Sequence, residues 1–167
     1  MVGTLALFVF PLLMAYAASS DLLTMRIANK LVLVLVAAYL ALAFLAHLPL
    51  SEIGTNLAVA AGILVVAFAF FAFGWIGGGD AKLIAATALW VGVGMLLPYL
   101  IYSALLGGAL TLLILVLRRY PLPAFLQRQR WIDRLHDPKV GVPYGITLAI
   151  AGLLVYPETP IFGYFIG

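Results

Sequence analysis

The chain has 167 residues, of which 66% are hydrophobic and only 9% are charged. A soluble domain carries roughly 25% charged residues, so this composition excludes a water-soluble globule and predicts an integral membrane protein surrounded by lipid. Cysteine is absent, which excludes disulfides and thiolate metal sites. The two histidines, His47 and His136, lie far apart in the sequence and cannot alone form a zinc site.

A membrane-spanning helix needs about 20 apolar residues, and five stretches of the chain meet or approach this length. The longest would be on the order of 50 Å as one helix, far thicker than a bilayer. It is therefore predicted to form two spans with a turn near Pro98. No Lys or Arg precedes the first stretch, which indicates a retained span rather than a signal peptide. The sequence thus predicts an all-α membrane protein, a single domain of residues 1–167 with about six transmembrane helices within residues 2–20, 31–50, 55–73, 83–117 and 142–156.

The charges sort by side once six spans are assumed. Residues 21–30, 74–82 and 118–141 share one side of the membrane and contain all nine Lys and Arg residues. The only side-chain charges on the other side are those of Glu52 and Glu158. Because positive residues stay cytoplasmic, both termini are predicted to be extracytoplasmic.

The basic loop 118–141 combines positive charge with apolar side chains. Trp131 suits a membrane interface, and four apolar residues fall roughly on one helical face: Phe125, Leu126, Ile132 and Leu135. This pattern predicts a short interfacial helix on anionic lipid. Two roles stay open for the loop, a membrane anchor with no further function or a part in substrate binding. No nucleic-acid partner is expected, because no other segment offers a basic surface.

Two acidic residues lie at the same predicted membrane boundary. Asp21 follows the first span, and Asp80 follows three consecutive glycines and opens the fourth. An ionisable group at this depth is costly and usually has a partner or a function. Taken singly, each carboxylate could simply pair with a nearby cation, Asp21 with Arg26 and Asp80 with Lys82.

Together, Asp21 and Asp80 fit the hydrolysis of a peptide bond by two carboxyl groups. That chemistry needs one carboxylate as base for a water molecule and one protonated carboxyl as acid toward the scissile carbonyl, which two acids sharing a site provide. Glycines at 77–79 let a backbone approach closely, so an extended substrate could lie against them. Helix ends predict that Asp80, near a helix N-terminus, is the base and that Asp21, near a helix C-terminus, carries the proton.

At these residues the chain resembles a known family. Gly77-Gly78-Gly79-Asp80-Ala81-Lys82 is similar to the GxGDxK signature of type IV prepilin peptidases, which are intramembrane aspartyl proteases. Asp21 with Arg26-Ile27-Ala28-Asn29 resembles that family's first motif, with Ala28 where the family usually has Pro. Val142-Pro143-Tyr144-Gly145 resembles its last-helix motif. Because the chain is short and lacks cysteine, it resembles the branch of the family that serves Flp (tight-adherence) pili.

The resemblance implies an aspartic endopeptidase that removes the short basic leader from Flp-type prepilin and pseudopilin precursors, which carry a hydrophobic helix. It would act at the cytoplasmic face of a prokaryotic inner membrane, without a metal or organic cofactor. The implied catalytic residues are Asp21 and Asp80. The implied substrate-binding residues are Gly77, Gly78, Gly79, Lys82, Arg26, Asn29, Pro143, Tyr144 and Gly145. The family's methyltransferase activity is not carried over, and the sequence does not indicate an oligomeric state.

Two other functions stay open. A small transporter or proton-relay protein would use the two aspartates as relay groups. It predicts more polar residues within the spans than the few present: Thr87, Ser103, Thr111 and Thr147. A non-catalytic membrane subunit of a pilus or secretion assembly would tolerate the loss of either aspartate.

Overall fold

The computed structural model describes residues 2–166, with side chains from residue 6 onward. Its helices are α1 (Val2–Thr24), α2 (Asn29–Leu45), α3 (Leu50–Ala72), α4 (Gly78–Leu117), α5 (Ala124–Gln127), α6 (Arg130–His136), α7 (Tyr144–Val155) and α8 (Pro160–Ile166), with a 3₁₀ turn at Tyr156–Glu158. None of the described residues forms a strand. The prediction of an all-α protein is therefore confirmed.

Within the described residues, three helices are long and apolar enough to cross a membrane, namely Ala6–Thr24 of α1, α3 and α4. A fourth crossing results if α7, the 3₁₀ turn and α8 are counted as one span with a 51° bend. Helix α2 is apolar but has only 17 residues. The chain is thus a helical membrane protein. By helix length and apolarity its spans number three or four, where the sequence predicted about six.

Helix α4 is not straight, as its contacts show: residues from its first turn and from its second half both lie near the start of α7. Near its beginning, Gly79 packs against Ile27, and Ile27 also packs against Gly145. Near its end, Gly107 packs against Tyr144. In a straight helix, residues 79 and 107 would stand about 40 Å apart. The chain must therefore reverse direction within α4, which gives a first arm (residues 78–91) and a second arm (residues 93–117).

The reversal occurs at Gly92, which has φ 66° and ψ −179° inside the otherwise helical run. A side chain at positive φ costs roughly 1–2 kcal/mol, so glycine is the residue that permits this break. The predicted turn near Pro98 is wrong in position, because Pro98 lies inside the second arm. Proline removes one helical hydrogen bond, whereas the left-handed φ of Gly92 redirects the whole chain.

An aromatic cluster fixes the interior of the bundle on the Gly92 side. The ring of Phe10 in α1 lies 4.9 Å from Trp90 and 4.7 Å from Tyr156, measured between ring centroids. The indole N–H of Trp90 donates to the carbonyl of Leu35 at 3.0 Å. Offset and tilted aromatic pairs at these distances are favourable beyond their buried area. The cluster thereby joins α1, α2, the first arm of α4 and the C-terminal turn.

Small residues let the helices approach closely around this cluster. Ala149 and Ala151 in α7 are buried, and Gly152 packs against Thr87 and Phe10. Helix association in lipid depends on such close contact, because water does not drive apolar surfaces together there. Helix α7 consequently sits between α1 and α4, with its N-terminus toward the start of α4.

We expect Gly92→Ala to destabilise the protein by about 1–3 kcal/mol, because it forces a side chain to positive φ. The added Cβ would also lie 3.1 Å from Oδ1 of Asn56. Thermal unfolding in detergent measures the effect. Gly94→Ala is the matched control, since a Cβ there meets no atom within 4 Å. Equal melting temperatures for the two variants would contradict the proposed role of Gly92.

Candidate active site

The loop after α1 is tied to the last turn of that helix. Met25 adopts φ 54°, which ends the helix, and its N–H donates to the carbonyl of Asp21 at 2.8 Å. The hydroxyl of Ser20 donates to the carbonyl of Arg26 at 2.9 Å. Positive φ at a non-glycine residue stores strain and is frequent beside functional sites. Asp21 therefore lies within the last turn of α1, and hydrogen bonds from this turn hold the following loop in place.

The Asp21 carboxylate bonds to the N-terminus of a distant helix. Its side chain is buried, and the backbone N–H of Gly145, the second residue of α7, donates to Oδ2 at 2.7 Å. The free N–H groups of a helix start favour an anion. A Cβ at position 145 would lie 2.7 Å from Oδ2 and 2.9 Å from Cγ of Asp21. Only glycine permits this approach.

The first residue of α7 is clasped to the second arm of α4. The hydroxyl of Tyr144 shares a hydrogen bond of 2.8 Å with Thr111, and the Thr111 hydroxyl also donates to the Gly107 carbonyl at 2.7 Å. A Cβ at Gly107 would lie 2.9 Å from the Tyr144 ring. This clasp fixes the start of α7. It thereby also fixes the Gly145 N–H group, which donates a hydrogen bond to Asp21.

Asp80 is the third residue of α4 and faces the preceding glycines. A Cβ at Gly77 would lie 2.7 Å from its Oδ2. Gly79 packs against Ile27 in the loop after α1, which brings the start of α4 to the end of α1. Asp21 and Asp80 both line the cavity at this junction. The structure therefore brings the two acids together.

Both carboxyl groups line one cavity of about 510 Å³. Five of the predicted substrate-binding residues line it as well: Arg26, Asn29, Gly77, Gly78 and Gly79. Lys82 lies just outside and donates from Nζ to Oδ1 of Asn29 at 2.9 Å, so it holds the first loop against α4. In the described part of the chain, no three His, Asp or Glu side chains converge in a way that could hold a metal ion.

The remaining predicted site residues support the cavity from α7 rather than line it. Pro143 is fully buried before the helix, Tyr144 forms the clasp, and Gly145 bonds to Asp21. The last-helix motif thus acts on the first aspartate through the backbone. The sequence predicted from helix ends alone that Asp80 is the base and that Asp21 carries the proton. The structure removes the basis for this difference. Asp21 lies at the C-terminal end of α1, but its carboxylate also accepts a hydrogen bond from the N-terminus of α7.

Ala28, the departure from the family pattern, leaves the loop conformation intact. Its φ of −68° and ψ of 138° fall in the region that a proline ring imposes. The segment after Arg26 therefore has the extended shape that a proline would give it.

Sequence reasoning missed several residues at the cavity and the clasp. Ser20, Thr24, Met25 and Ile27 line the cavity, and Thr111 completes the clasp. Ser20 and Thr24 carried a signal, because hydroxyl side chains at a helix end often bond to the backbone of the following turn. Ile27 stands only within the segment that resembles the first motif, and Thr111 carried no signal, since both roles depend on contacts with distant segments.

The basic loop forms two short helices, α5 and α6, where the sequence predicted one. Arg134 donates to the carbonyl of Leu23 at 3.0 Å, which places the loop against the C-terminal end of α1. Arg118 donates to three carbonyls of the loop, those of Leu135, Val140 and Gly141, at 2.8–3.1 Å. Cations favour the carbonyl end of a helix. The loop is thereby fixed at the same end of the bundle as the two aspartates.

Gly145→Ala tests how closely α7 must approach Asp21. The added Cβ would overlap the carboxylate and force α1 and α7 apart, so we expect a loss of about 1–3 kcal/mol in stability. Thermal unfolding of the purified protein measures it. Gly141→Ala, in the same connection but with no atom within 4 Å of the new Cβ, should melt like the native chain. A native melting temperature for Gly145→Ala would contradict the contact.

Comparison with known proteins bears on the identity of this site. The model of the type IV leader peptidase family matches residues 8–112, which is more than half of the chain and includes Asp21 and Asp80. No curated protein and no solved structure matches the chain. The resemblance to prepilin peptidases is thereby confirmed. The chain belongs to the type IV leader peptidase family.

Proposed function

We propose that this membrane peptidase is an aspartic endopeptidase in which Asp21 and Asp80 are the catalytic pair. One observation carries the proposal: two acidic residues from different helices, Asp21 of α1 and Asp80 of α4, line a single cavity. Two acids that share a site do not ionise together cheaply, which favours one carboxylate and one protonated carboxyl. That is the pair of protonation states that peptide hydrolysis needs.

The chemistry follows from those two states. The ionised carboxylate takes a proton from a water molecule, whose oxygen attacks the scissile carbonyl carbon. The protonated carboxyl gives its proton to the carbonyl oxygen. The tetrahedral intermediate then collapses with cleavage of the C–N bond. The leaving amine takes the proton that the first carboxyl removed from water, and the second carboxylate takes a proton back from a hydroxyl of the intermediate. The N–H of Gly145 holds Asp21 in place throughout, and fixed geometry of this kind lowers the cost of reaching the transition state.

We propose that the substrates are prepilin-type precursors of the Flp class, cut between a short basic leader and a hydrophobic helix. The membership of the type IV leader peptidase family supports prepilin-type substrates. The three glycines at 77–79 line the cavity, with Gly77 exposed and the other two half-buried, so an extended segment of the substrate could lie against them. Arg26 and Asn29 line the cavity as well.

We further propose six spans in a prokaryotic inner membrane, with the cavity on the cytoplasmic side and both termini outside. The fold-back at Gly92 supports two spans within α4. Helices α1, α2 and α3, and the bent unit of α7 and α8, supply the other four. The contacts of Arg134 and Lys82 gather the three basic loops at the cavity end of the bundle, and positive loops remain cytoplasmic.

Leader cleavage in cells that co-express a candidate prepilin tests the catalytic pair. Asp21→Asn and Asp80→Asn should each lower cleavage by about 10²–10⁴-fold, because each removes a proton-transfer group. A gel shift of the pilin reports the loss of its leader.

Asp133→Asn is the matched control, because Asp133 is exposed on α6 and lies outside the cavity lining. It should cleave like the native chain. Full cleavage by either variant of the pair would rule out the aspartic mechanism, and would leave the relay and subunit functions to be considered.

Labelling of single cysteines tests the orientation, because the native chain has no cysteine. Ser51→Cys, in the first turn of α3, should react with a membrane-impermeant maleimide on intact cells. Arg128→Cys, in the basic loop, should react only after permeabilisation. Both positions are exposed on the protein. Labelling of both on intact cells would exclude the six-span arrangement.

A further inference from the structure

An apolar groove leads away from the cavity of the two aspartates, along the first arm of α4. It encloses about 520 Å³ between the second half of α3 and the start of α4, and its lining includes Val65, Phe68, Phe71 and Gly78. Gly78 also lines the cavity of the two aspartates. The Phe71 ring packs on this glycine, since a Cβ at position 78 would lie 3.2 Å from Cε2 of Phe71. The groove and the cavity therefore meet at Gly78.

A second apolar space continues this groove away from the cavity. It encloses about 250 Å³ between α2 and α3, over the first arm of α4. Leu64 and Lys82 line both spaces, so the two form one passage, which we call the α3–α4 groove. It follows α4 over residues 78–89, which is about 17 Å along the helix axis. The residues of α4 that line it are three and four apart and so share one face of the helix: Gly78, Ala81, Lys82, Ala85, Ala86 and Leu89.

The walls of the α3–α4 groove suit an apolar helix. Every residue that lines it is apolar except Lys82, and the Nζ of Lys82 is bound to Asn29. The narrower space is lined by small residues of two helices: Ala60, Ala61, Ala85 and Ala86. Small residues let helix backbones approach closely in lipid. A transmembrane helix can therefore lie closely along this face of α4.

The position of the groove fits the segment that follows the scissile bond. The proposed substrate carries a basic leader and then a hydrophobic helix, so apolar residues must leave the cavity on one side of the cut. The groove begins at Gly78, two residues from Asp80. Val65 and Phe68 are 70% and 61% exposed, so a helix already in the bilayer can enter from the side. The positive charge of Lys82 disfavours a basic leader in the same place, which leaves the leader on the cavity side.

We propose that the α3–α4 groove docks the hydrophobic helix of the prepilin substrate, and that the extended cleavage segment passes into this helix at Phe71 and Gly78. The inference rests on the proposed function and adds a recognition surface to it. Continuity with the cavity carries the inference, because one glycine lines both spaces. The helix is bound by packing away from the reacting atoms. Docking therefore contributes to the affinity for the substrate rather than to the chemical step.

Disulfide cross-linking tests the docking directly, because the native chain has no cysteine. Val65→Cys and Val66→Cys are the matched pair, since the two valines are adjacent and 70% and 52% exposed, but only Val65 lines the groove. Each is combined with Asp80→Asn, which keeps the prepilin uncut. The co-expressed Flp-type prepilin carries a single cysteine in the first two turns of its hydrophobic helix. A disulfide needs Cβ atoms about 4 Å apart, so oxidation of the membranes should give a cross-linked product with Val65→Cys and none with Val66→Cys.

The other results of the cross-linking would each overturn the inference. Equal products from the two variants would show random collision in the membrane. The absence of a product from Val65→Cys would show a groove that is filled by lipid acyl chains alone.

A bulky side chain in the groove tests its share in substrate affinity. Ala61 lines the narrower space and is exposed, so Ala61→Phe places a ring in the groove without displacing a buried side chain. We expect KM for the full prepilin to rise about 10-fold at native kcat, because the lost contacts stabilise the bound substrate and the transition state alike. Ala69→Phe is the matched control. Ala69 is exposed on α3, nearer to the Phe71 end and outside the groove lining, and its variant should keep the native kcat and KM.

Asp80→Asn, measured beside these variants, separates the docking from the mechanism. If Asp80→Asn is inactive and Ala61→Phe keeps the native KM, the docking is wrong and the aspartic mechanism stands. If Asp80→Asn cleaves normally, the aspartic mechanism is wrong, while a cross-link to Val65→Cys still supports the docking. A fall in both kcat and melting temperature for Ala61→Phe, with no cross-link to Val65→Cys, would show general damage and overturn the inference. Should Ala61→Phe fail to fold, the cross-linking pair decides.

Discussion

The hydrogen bond from the Gly145 N–H to Oδ2 of Asp21 joins the end of α1 to the start of α7, across 124 residues of sequence. It is buried, and in surroundings of low polarity such a bond is strong while an unpaired carboxylate is costly. The bond therefore fixes two helices and one acid at once. It forms only because position 145 carries no Cβ, which would otherwise overlap the carboxylate.

The second acid depends on this arrangement through the loop between α1 and α2. Ile27 touches both Gly145 and Gly79, so it separates the start of α7 from the start of α4 by one side chain. Lys82 ties the same loop to α4 through Asn29. The distance between the two carboxyl groups is thus set by packing around one isoleucine and by a polar tie at its side. A change in the packing of Ile27 or in the Lys82–Asn29 hydrogen bond would therefore shift the positions of both acids.

The fold-back at Gly92 gives α4 two separate tasks. Its first arm carries Asp80, and its second arm carries Thr111, which holds Tyr144 and so the start of α7. A straight α4 would place Thr111 far from the cavity. The basic loop follows the second arm directly and returns to α1 through Arg134. The reversal at Gly92 therefore brings the basic loop to the same end of the bundle as the cavity.

The sequence by itself determined the membrane class and the all-helical fold, and it singled out the two acids that share the cavity. These follow from local properties: the apolar content, the charges confined to three loops, and an aspartate beside three glycines. The family resemblance rests on residues close together in the chain, such as Gly77–Lys82, and it needed no knowledge of the packing.

Only the tertiary structure decided where α4 reverses, which helix start faces Asp21, and which residues complete the site. Pro98 carried the stronger sequence signal for a turn, yet Gly92 makes it, because a left-handed φ next to the Asn56 amide is a matter of packing. Helix ends read along the chain left Asp21 beside a C-terminus, whereas its partner is the N-terminus of α7. Hydropathy and helix signals describe a residue and its neighbours in sequence. Contacts such as Asp21–Gly145 and Thr111–Tyr144 arise only when distant helices pack together.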